Sequence, residues 1–245
     1  MRLFGLIGKT LSHSFSKKYF TEKFEKESIG DCQYELFPIE SIQHLPSVIQ
    51  SNPSLAGLNV TIPYKEQVLS FLTESFIPDG VGACNCIAVR KGKLIGYNTD
   101  IIGFEISLLK QLLPSHSRAL VFGSGGASKA VCYVLKKLGI AYQVVGRIKS
   151  DKVDLVYEDV TEEMVKRHLL LVNTTPLGML PNLEACPAIP YQAIGAGHYL
   201  YDLVYNPAKT LFLQKGEEQG AAIKNGEEML VLQAEESWKI WNKTV

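Results

Sequence analysis

An α/β fold in two domains is what this sequence predicts, and three observations predict it. Apolar runs of strand length alternate with amphipathic stretches along the chain, as strand–helix units around a mostly parallel sheet require. The segment "RALVFGSGGASKAVCYVLKKLGIAYQVVGR" (118–147) is a compact strand, glycine loop, helix and strand. The register of the pattern changes at about 100–117, where one domain should give way to a second, with a cleft between them. A chain of 245 residues has enough surface to bury a core in each.

Each element has its own signal. "RLFGLIG" (2–8) reads as a strand, and 16–28 as a helix ending near Gly30. "QYELFPI" (33–39) is a strand, 41–51 a helix before Pro53, and "LAGLNVTI" (55–62) a strand. Pro63 stands where a first-turn proline belongs, which predicts a helix to about 72. "CNCIAVRKGKLIGYN" reads as a hairpin turning at Lys91–Lys93, and a helix follows from Asp100 to about Leu113. After the glycine-loop unit come a short helix at 161–167, a strand at 169–173 and a strand at 198–205. Helices at 208–219 and 226–242 close the pattern.

Composition narrows the function. Apolar residues make up 46% and charged residues 20% of the chain, which is ordinary for a globular protein. Basic and acidic residues cancel at 25 each, so no bulk charge argues for nucleic acid or a membrane surface. No window approaches the ~18 consecutive apolar residues of a membrane span. The apolar run in "MRLFGLIGKTLSHS" is too short for a secretory signal, so a cytoplasmic protein is expected. The five cysteines form no CxxC pair and read as reduced thiols. Cys84 and Cys86 have no nearby ligands to complete a metal set, and no metal is expected.

"VFGSGGASKA" follows a buried-type strand and opens a helix, the context a dinucleotide site needs. Gly123 lets the chain turn sharply. Gly125 and Gly126 let the backbone approach a pyrophosphate, and the helix N-terminus offers it free N–H groups. The bland alternative is a glycine-rich strand–helix turn. The second strand of the unit ends at Gly146-Arg147, where an acidic residue would take the ribose hydroxyls of NAD. An arginine pairs with a 2′-phosphate instead, which favours NADP. A surface arginine at a strand end is the alternative.

The first half carries a scatter of polar residues. Ser14 and Ser16 stand where a helix begins, as caps or as ligand contacts. Asn59 and Thr61 share one strand face, either reaching a ligand or, for Thr61, capping the next helix. Lys65 falls in the first turn of the helix expected after Pro63, where a cation opposes the helix dipole. Taken alone it reads first as a solvated lysine, and otherwise as a group that exchanges a proton. Asp100, in "GYNTDIIGF", suits an N-cap and could instead fix the position of a cationic lysine. Gln233 stands among apolar neighbours in the last helix, facing a wet cleft or at a rim.

Together these segments resemble the shikimate dehydrogenase family nearly end to end. The matching pieces are "HSFS", "LNVTIPYK", "GACN", "NTDIIGF", "FGSGGASKA", "NTTPLGM", "YDLVYNPAKTLFL" and "GEEMLVLQ", and their order and spacing carry the likeness. The resemblance implies a discontinuous α/β substrate domain, 1–100 with 226–245, and a Rossmann-like NADP-binding domain over 101–225. It implies reversible, NADP-dependent reduction of 3-dehydroshikimate to shikimate, in aromatic amino-acid biosynthesis, by a monomer or homodimer. By the same resemblance, Lys65 and Asp100 are the catalytic pair. Ser14 and Ser16 hold the substrate carboxylate, and Asn59, Thr61, Asn85, Tyr205 and Gln233 are further substrate contacts. Gly123, Gly125, Gly126, Ala127, Arg147, Thr174, Leu203 and Gly226 contact NADP.

The chain departs from the family pattern in three places. Gly146-Arg147-Ile148 replaces the usual Asn-Arg-Thr, Cys84 and Cys86 flank Asn85 in place of Val and Thr, and 148–168 is short. Two other readings fit the first departure or the glycine loop alone. One is a quinate/shikimate dehydrogenase using NAD or both cofactors, and the other a dinucleotide-binding sensor without turnover.

Overall fold

The computed structural model describes residues 1–11 and 14–243. The chain divides into two compact units, Met1–Thr99 with Gln233–Val245, and Asp100–Leu232.

The first unit contains β1 (Arg2–Gly8), α1 (Phe15–Lys26), β2 (Cys32–Pro38), α2 (Leu45–Ser51), β3 (Leu55–Val60), β4 (Glu74–Ser75), β5 (Cys86–Arg90) and β6 (Lys93–Tyr97). They form a six-stranded sheet in the order β2-β1-β3-β5-β6-β4. Three of its five pairings are parallel, in keeping with the mostly parallel expectation. β1 is parallel to β2 and β3, but β3–β5 and β5–β6 are antiparallel. The cause is the two-residue turn joining β5 to β6. Lys91 and Gly92 both adopt positive φ, 49° and 77°, the conformation whose twist suits a tight hairpin.

Alternation along β1 and β5 sends side chains to two cores. Phe4, Leu6, Cys86 and Ala88 pack with Phe20, Phe24 and Trp241 on one face. Ile7 and Ile87 pack with Leu45, Leu58 and Val68 on the other. Phe4 stacks on Trp241 at 4.9 Å between ring centres, and the Trp241 indole N–H donates to the Ile87 carbonyl at 3.0 Å. Gly57 makes room for that ring, since a Cβ there would lie 2.3 Å from the indole nitrogen.

The helix expected from Pro63 to about 72 does not form. Only a 3-10 turn, Gln67–Phe71, follows the proline. The Lys65 carbonyl, which an α-helix would offer to the Leu69 N–H, is taken by the Cys84 N–H at 2.7 Å. Leu69 turns to the Glu66 carbonyl instead. A tertiary bond from 19 positions away outcompetes the local helix.

The second unit contains α3 (Asp100–Leu109), β7 (Arg118–Phe122), α4 (Gly126–Lys137), β8 (Ala141–Gly146), β9 (Leu155–Val156), α5 (Glu162–Arg167), β10 (Leu170–Asn173), β11 (Tyr199–Asp202), α6 (Leu211–Glu218), β12 (Ala222–Lys224) and the start of α7 (Glu227–Asn242). Its sheet runs β12-β11-β10-β7-β8-β9, parallel at every pairing. The strand order reverses between β7 and β10, the doubly wound arrangement in which a dinucleotide lies at the reversal. Strands buried on both faces explain the near-continuous apolar runs "ALVF" and "LLVN". The short stretch 148–168 holds only the two-residue β9, a 3-10 turn and the six-residue α5.

Candidate functional site

In the first unit the polar residues of the sequence form one buried network. Ser14, not Ser16, is the N-cap of α1, with φ −69° and ψ 118°. Its hydroxyl makes no capping bond and is buried with no hydrogen-bond partner among the described residues, a costly state for a polar atom. Ser16 is the second residue of the helix, close enough to Tyr34 to act on its phenol, which burial pushes well above the usual range. His13, in the same motif, lies outside the described residues.

The Tyr34 hydroxyl donates to Asn59 Oδ1 at 2.8 Å. Asn59 Nδ2 donates to the Asn85 carbonyl at 3.2 Å and to Ser237 Oγ at 3.0 Å. The Asn59 amide is thus saturated by protein groups. Asn85 Oδ1 accepts from the Thr99 main-chain N–H at 2.6 Å, and Asn85 Nδ2 donates to Thr99 Oγ1 at 3.0 Å. Gln233 Oε1 lies 3.5 Å from both Asn85 Nδ2 and Thr99 Oγ1. Ser16, Asn59, Asn85 and Gln233 are therefore brought together. Tyr34, Thr99 and Ser237, which join them, had no assigned role in the sequence reading. Ser237 could have been found from its place one turn beyond Gln233, since positions four apart share a helix face.

Thr61 follows β3 half-buried, its N–H on the Ile7 carbonyl at 3.0 Å and its own carbonyl accepting from Tyr64 at 2.9 Å. Lys65 is half-buried in the turn after Pro63, so the argument that it opposes a helix dipole falls with the helix. Cys84 and Cys86 are buried; the Cys84 thiol donates to the Cys86 carbonyl, and burial raises the Cys86 thiol. Among the described residues no group of three His, Cys, Asp or Glu could hold a metal ion. Nor, among them, is any helix long and apolar enough to cross a membrane.

In the second unit Asp100 is buried and is the first residue of α3 itself rather than its N-cap. The loop after β7 has the form a phosphate-bearing cofactor needs. Gly123 has φ +104°, and a Cβ there would lie 2.7 Å from Thr174 Oγ1. Thr174 holds the loop base by donating both its N–H and its hydroxyl to the Phe122 carbonyl. Gly125 caps α4 with no side-chain bond, and a Cβ on it would meet nothing within 4 Å. Gly126 and Ala127 begin the helix, whose first N–H groups receive no bond from the side chain of an N-cap residue.

Leu203 and Gly226 are brought together. Gly226 N–H donates to the Val204 carbonyl at 3.1 Å, and a Cβ on Gly226 would fall 2.1 Å from the Leu203 carbonyl oxygen. Arg147 is exposed at the end of β8, close enough to Tyr157 to act on its phenol. Tyr205 is half-buried after β11, and burial raises its phenol.

A buried carboxylate that the sequence did not single out ties these strand ends together. Asp202 accepts from Asn173 Nδ2 at 2.9 Å, Val204 N at 3.0 Å and Thr210 Oγ1 at 2.5 Å. Burial outweighs those three bonds and pushes its carboxyl up to about 6.

The geometry has counterparts among known proteins. Residues 6–87 match the family model described as the shikimate dehydrogenase substrate binding domain. Among curated relatives, the shikimate dehydrogenase (NADP(+)) of Caldicellulosiruptor bescii is 36% identical over 98% of this chain and 89% of its own length. That of Clostridium beijerinckii is 38% identical over 99% and 93%. Among solved structures, shikimate dehydrogenase from Aquifex aeolicus superposes with a TM-score of 0.86 at 33% identity, covering 99% of this chain and 92% of that one. Shikimate 5-dehydrogenase from Thermus thermophilus, in complex with NADP(H) and shikimate, gives 0.85 at 29% identity over 100% and 95%.

Proposed function

The chain belongs to the shikimate dehydrogenase family: it is an NADP-dependent oxidoreductase acting on a CH–OH group, interconverting shikimate and 3-dehydroshikimate, and we propose that Lys65 and Asp100 carry its proton transfer. The substrate is a small molecule. Oxidation takes a hydride from the carbinol carbon and a proton from its oxygen, giving ketone, NADPH and H⁺.

NADP, when bound, supplies the carbon that accepts or returns the hydride. The glycine loop fits such a group, with an open approach at Gly125 and the N-terminus of α4 directly after it. In this reading Gly123, Gly125, Gly126 and Ala127 hold the phosphates, with Thr174 fixing the loop. Arg147 pairs with the 2′-phosphate, and Leu203 and Gly226 shape the rest of the cofactor site.

The buried Ser14 hydroxyl, which has no hydrogen-bond partner among the described residues, carries the substrate side of the reading. A substrate carboxylate accepting from Ser14 and Ser16 would satisfy it. Thr61, Asn85, Tyr205 and Gln233 take the ring hydroxyls, and Asn59, already saturated, holds Asn85 in place. Lys65 removes the hydroxyl proton during oxidation and returns it during reduction. Asp100 accepts a hydrogen bond from a substrate hydroxyl and orients it. We place the enzyme in the cytoplasm as a monomer or homodimer, which fractionation and sedimentation read.

Lys65→Ala tests the proton-transfer role. Positioned proton transfer contributes ~10²–10⁴-fold, so kcat should fall by about that factor while the KM for shikimate moves little. A near-normal kcat in this variant removes Lys65 from the chemistry.

A further inference from the structure

Ser237 lies one turn beyond Gln233 on α7 and is fully buried. A hydroxyl has one proton and two lone pairs, and here all three are committed. The proton goes to the Gln233 carbonyl at 2.9 Å, because a carbonyl can only accept. One lone pair takes the Asn59 Nδ2 proton at 3.0 Å. That amide cannot be reversed, since its nitrogen also donates to the Asn85 carbonyl and its oxygen accepts from Tyr34. The second lone pair faces the Thr99 hydroxyl at 3.2 Å, so Thr99 is the donor of that pair. The Cys86 thiol also lies beside this hydroxyl, but a thiol is a weak donor.

With its proton directed to Ser237, Thr99 Oγ1 can only accept from Asn85 Nδ2, at 3.0 Å. Asn85 Oδ1 is fixed in turn by the Thr99 main-chain N–H. Hydrogen-bond polarity therefore runs one way, from a helix carbonyl through two hydroxyls to the Asn85 amide. Other acceptors for Thr99 lie close by, Asn85 Oδ1 at 3.3 Å and Gln233 Oε1 at 3.5 Å. Without Ser237 Oγ, the Thr99 proton is no longer held in one direction, and neither is the lone pair that Asn85 Nδ2 meets.

We propose that Ser237 is a positioning residue for substrate recognition. By fixing the direction of the Thr99 hydroxyl, it sets the Asn85 amide so that its nitrogen presents a proton to a substrate oxygen. This rests on the reading of Asn85 as a substrate contact. Chemistry at the carbinol carbon lies outside its reach, so the effect belongs in substrate binding and not in turnover or cofactor affinity.

The test is steady-state kinetics of the full chain with shikimate and NADP⁺, with thermal midpoints, for Ser237→Ala, Asn85→Ala, the double variant and Ser237→Thr. Loss of one oriented hydrogen bond should raise the KM for shikimate about tenfold in Ser237→Ala. In that variant kcat and the KM for NADP⁺ should stay at wild-type values. Ser237→Thr should restore the KM, because a helical threonine can make the same bond to the carbonyl four residues back. In the Asn85→Ala background Ser237→Ala should add nothing. A raised KM in Asn85→Ala with an unchanged KM in Ser237→Ala overturns the positioning role and leaves Asn85 in the site. A fall in kcat alone overturns it too. An unchanged KM in Asn85→Ala removes that residue from the site and this inference with it. Should Ser237→Ala not fold, Thr99→Val breaks the same chain at nearly constant shape, and an unchanged KM there is equally fatal.

Discussion

In the first unit, the groups proposed for recognition are side chains held by other side chains, with Asn59 on Tyr34, Asn85 on Thr99, and Thr99 beside Ser237. In the second unit the corresponding groups are main chain: Gly123 and Gly226 let it pack closely against Thr174 and Leu203, and Gly125 leaves it open. In the proposed reading the difference follows from what each half binds. A small hydroxylated acid has many similar oxygens, and telling them apart needs donors of fixed direction. A pyrophosphate needs dense N–H groups and little else. A side-chain network therefore tolerates loss of one member at a graded cost, whereas a close-packed backbone does not.

Gly226→Ala should break the second unit most severely. A Cβ 2.1 Å from the Leu203 carbonyl oxygen has backbone on the other side and cannot be relieved by a rotamer change. Displacing that backbone should lower kcat/KM for NADP⁺ about 10²-fold, together with a clear loss of thermal stability. Wild-type kinetics in this variant would show that main-chain packing there is looser than the comparison requires.

Arg147→Ala should sharpen the comparison, because Arg147 is the side chain in the second unit assigned to choosing a cofactor. Its exposure limits the contact, so the KM for NADP⁺ should rise about tenfold while that for NAD⁺ stays unchanged. Equal changes for both cofactors would return Arg147 to an ordinary surface residue and favour dual cofactor use.

Asp202→Asn is read in stability rather than in kinetics, as a pH dependence. The folded-state value of about 6 lies above the ordinary carboxyl value of about 4. The contribution of protonated Asp202 to stability is therefore fully present below about pH 4 and lost as pH rises through about 6. The amount is about 3 kcal/mol, on the order of 10 degrees in melting midpoint for a chain of this size. The asparagine variant should gain on the wild type by that amount between about pH 4 and 7. Parallel melting curves across that range would contradict the buried-acid account.

The same contrast explains what the sequence revealed. The glycine loop, its flanking strands and the parallel second sheet were legible because their signals are local. The buried strand β7, the positive-φ turn at Gly123 and the helix start at Gly126 all fall within a dozen residues. The hairpin at Lys91-Gly92 was legible for the same reason. The side-chain network was not, since Asn59 meets Tyr34 across 25 positions and Ser237 across 178. The missing helix after Pro63 has the same origin, a bond from Cys84 that no local window contains. Asp202 was hidden because it reads as the polar end of an apolar strand, and only Asn173 and Thr210 on other elements give it a role. The edge strands β4, β9 and β12, of two or three residues each, are too short to carry a periodic signal.

The most direct test follows the near-ultraviolet absorbance of NADPH when the purified full-length protein meets shikimate and NADP⁺, with the wild type and Lys65→Ala side by side. The account predicts steady NADPH formation by the wild type and a rate ~10²–10⁴-fold lower in the variant. Equal rates from the two proteins, or no NADPH from the wild type at high enzyme concentration, would contradict it.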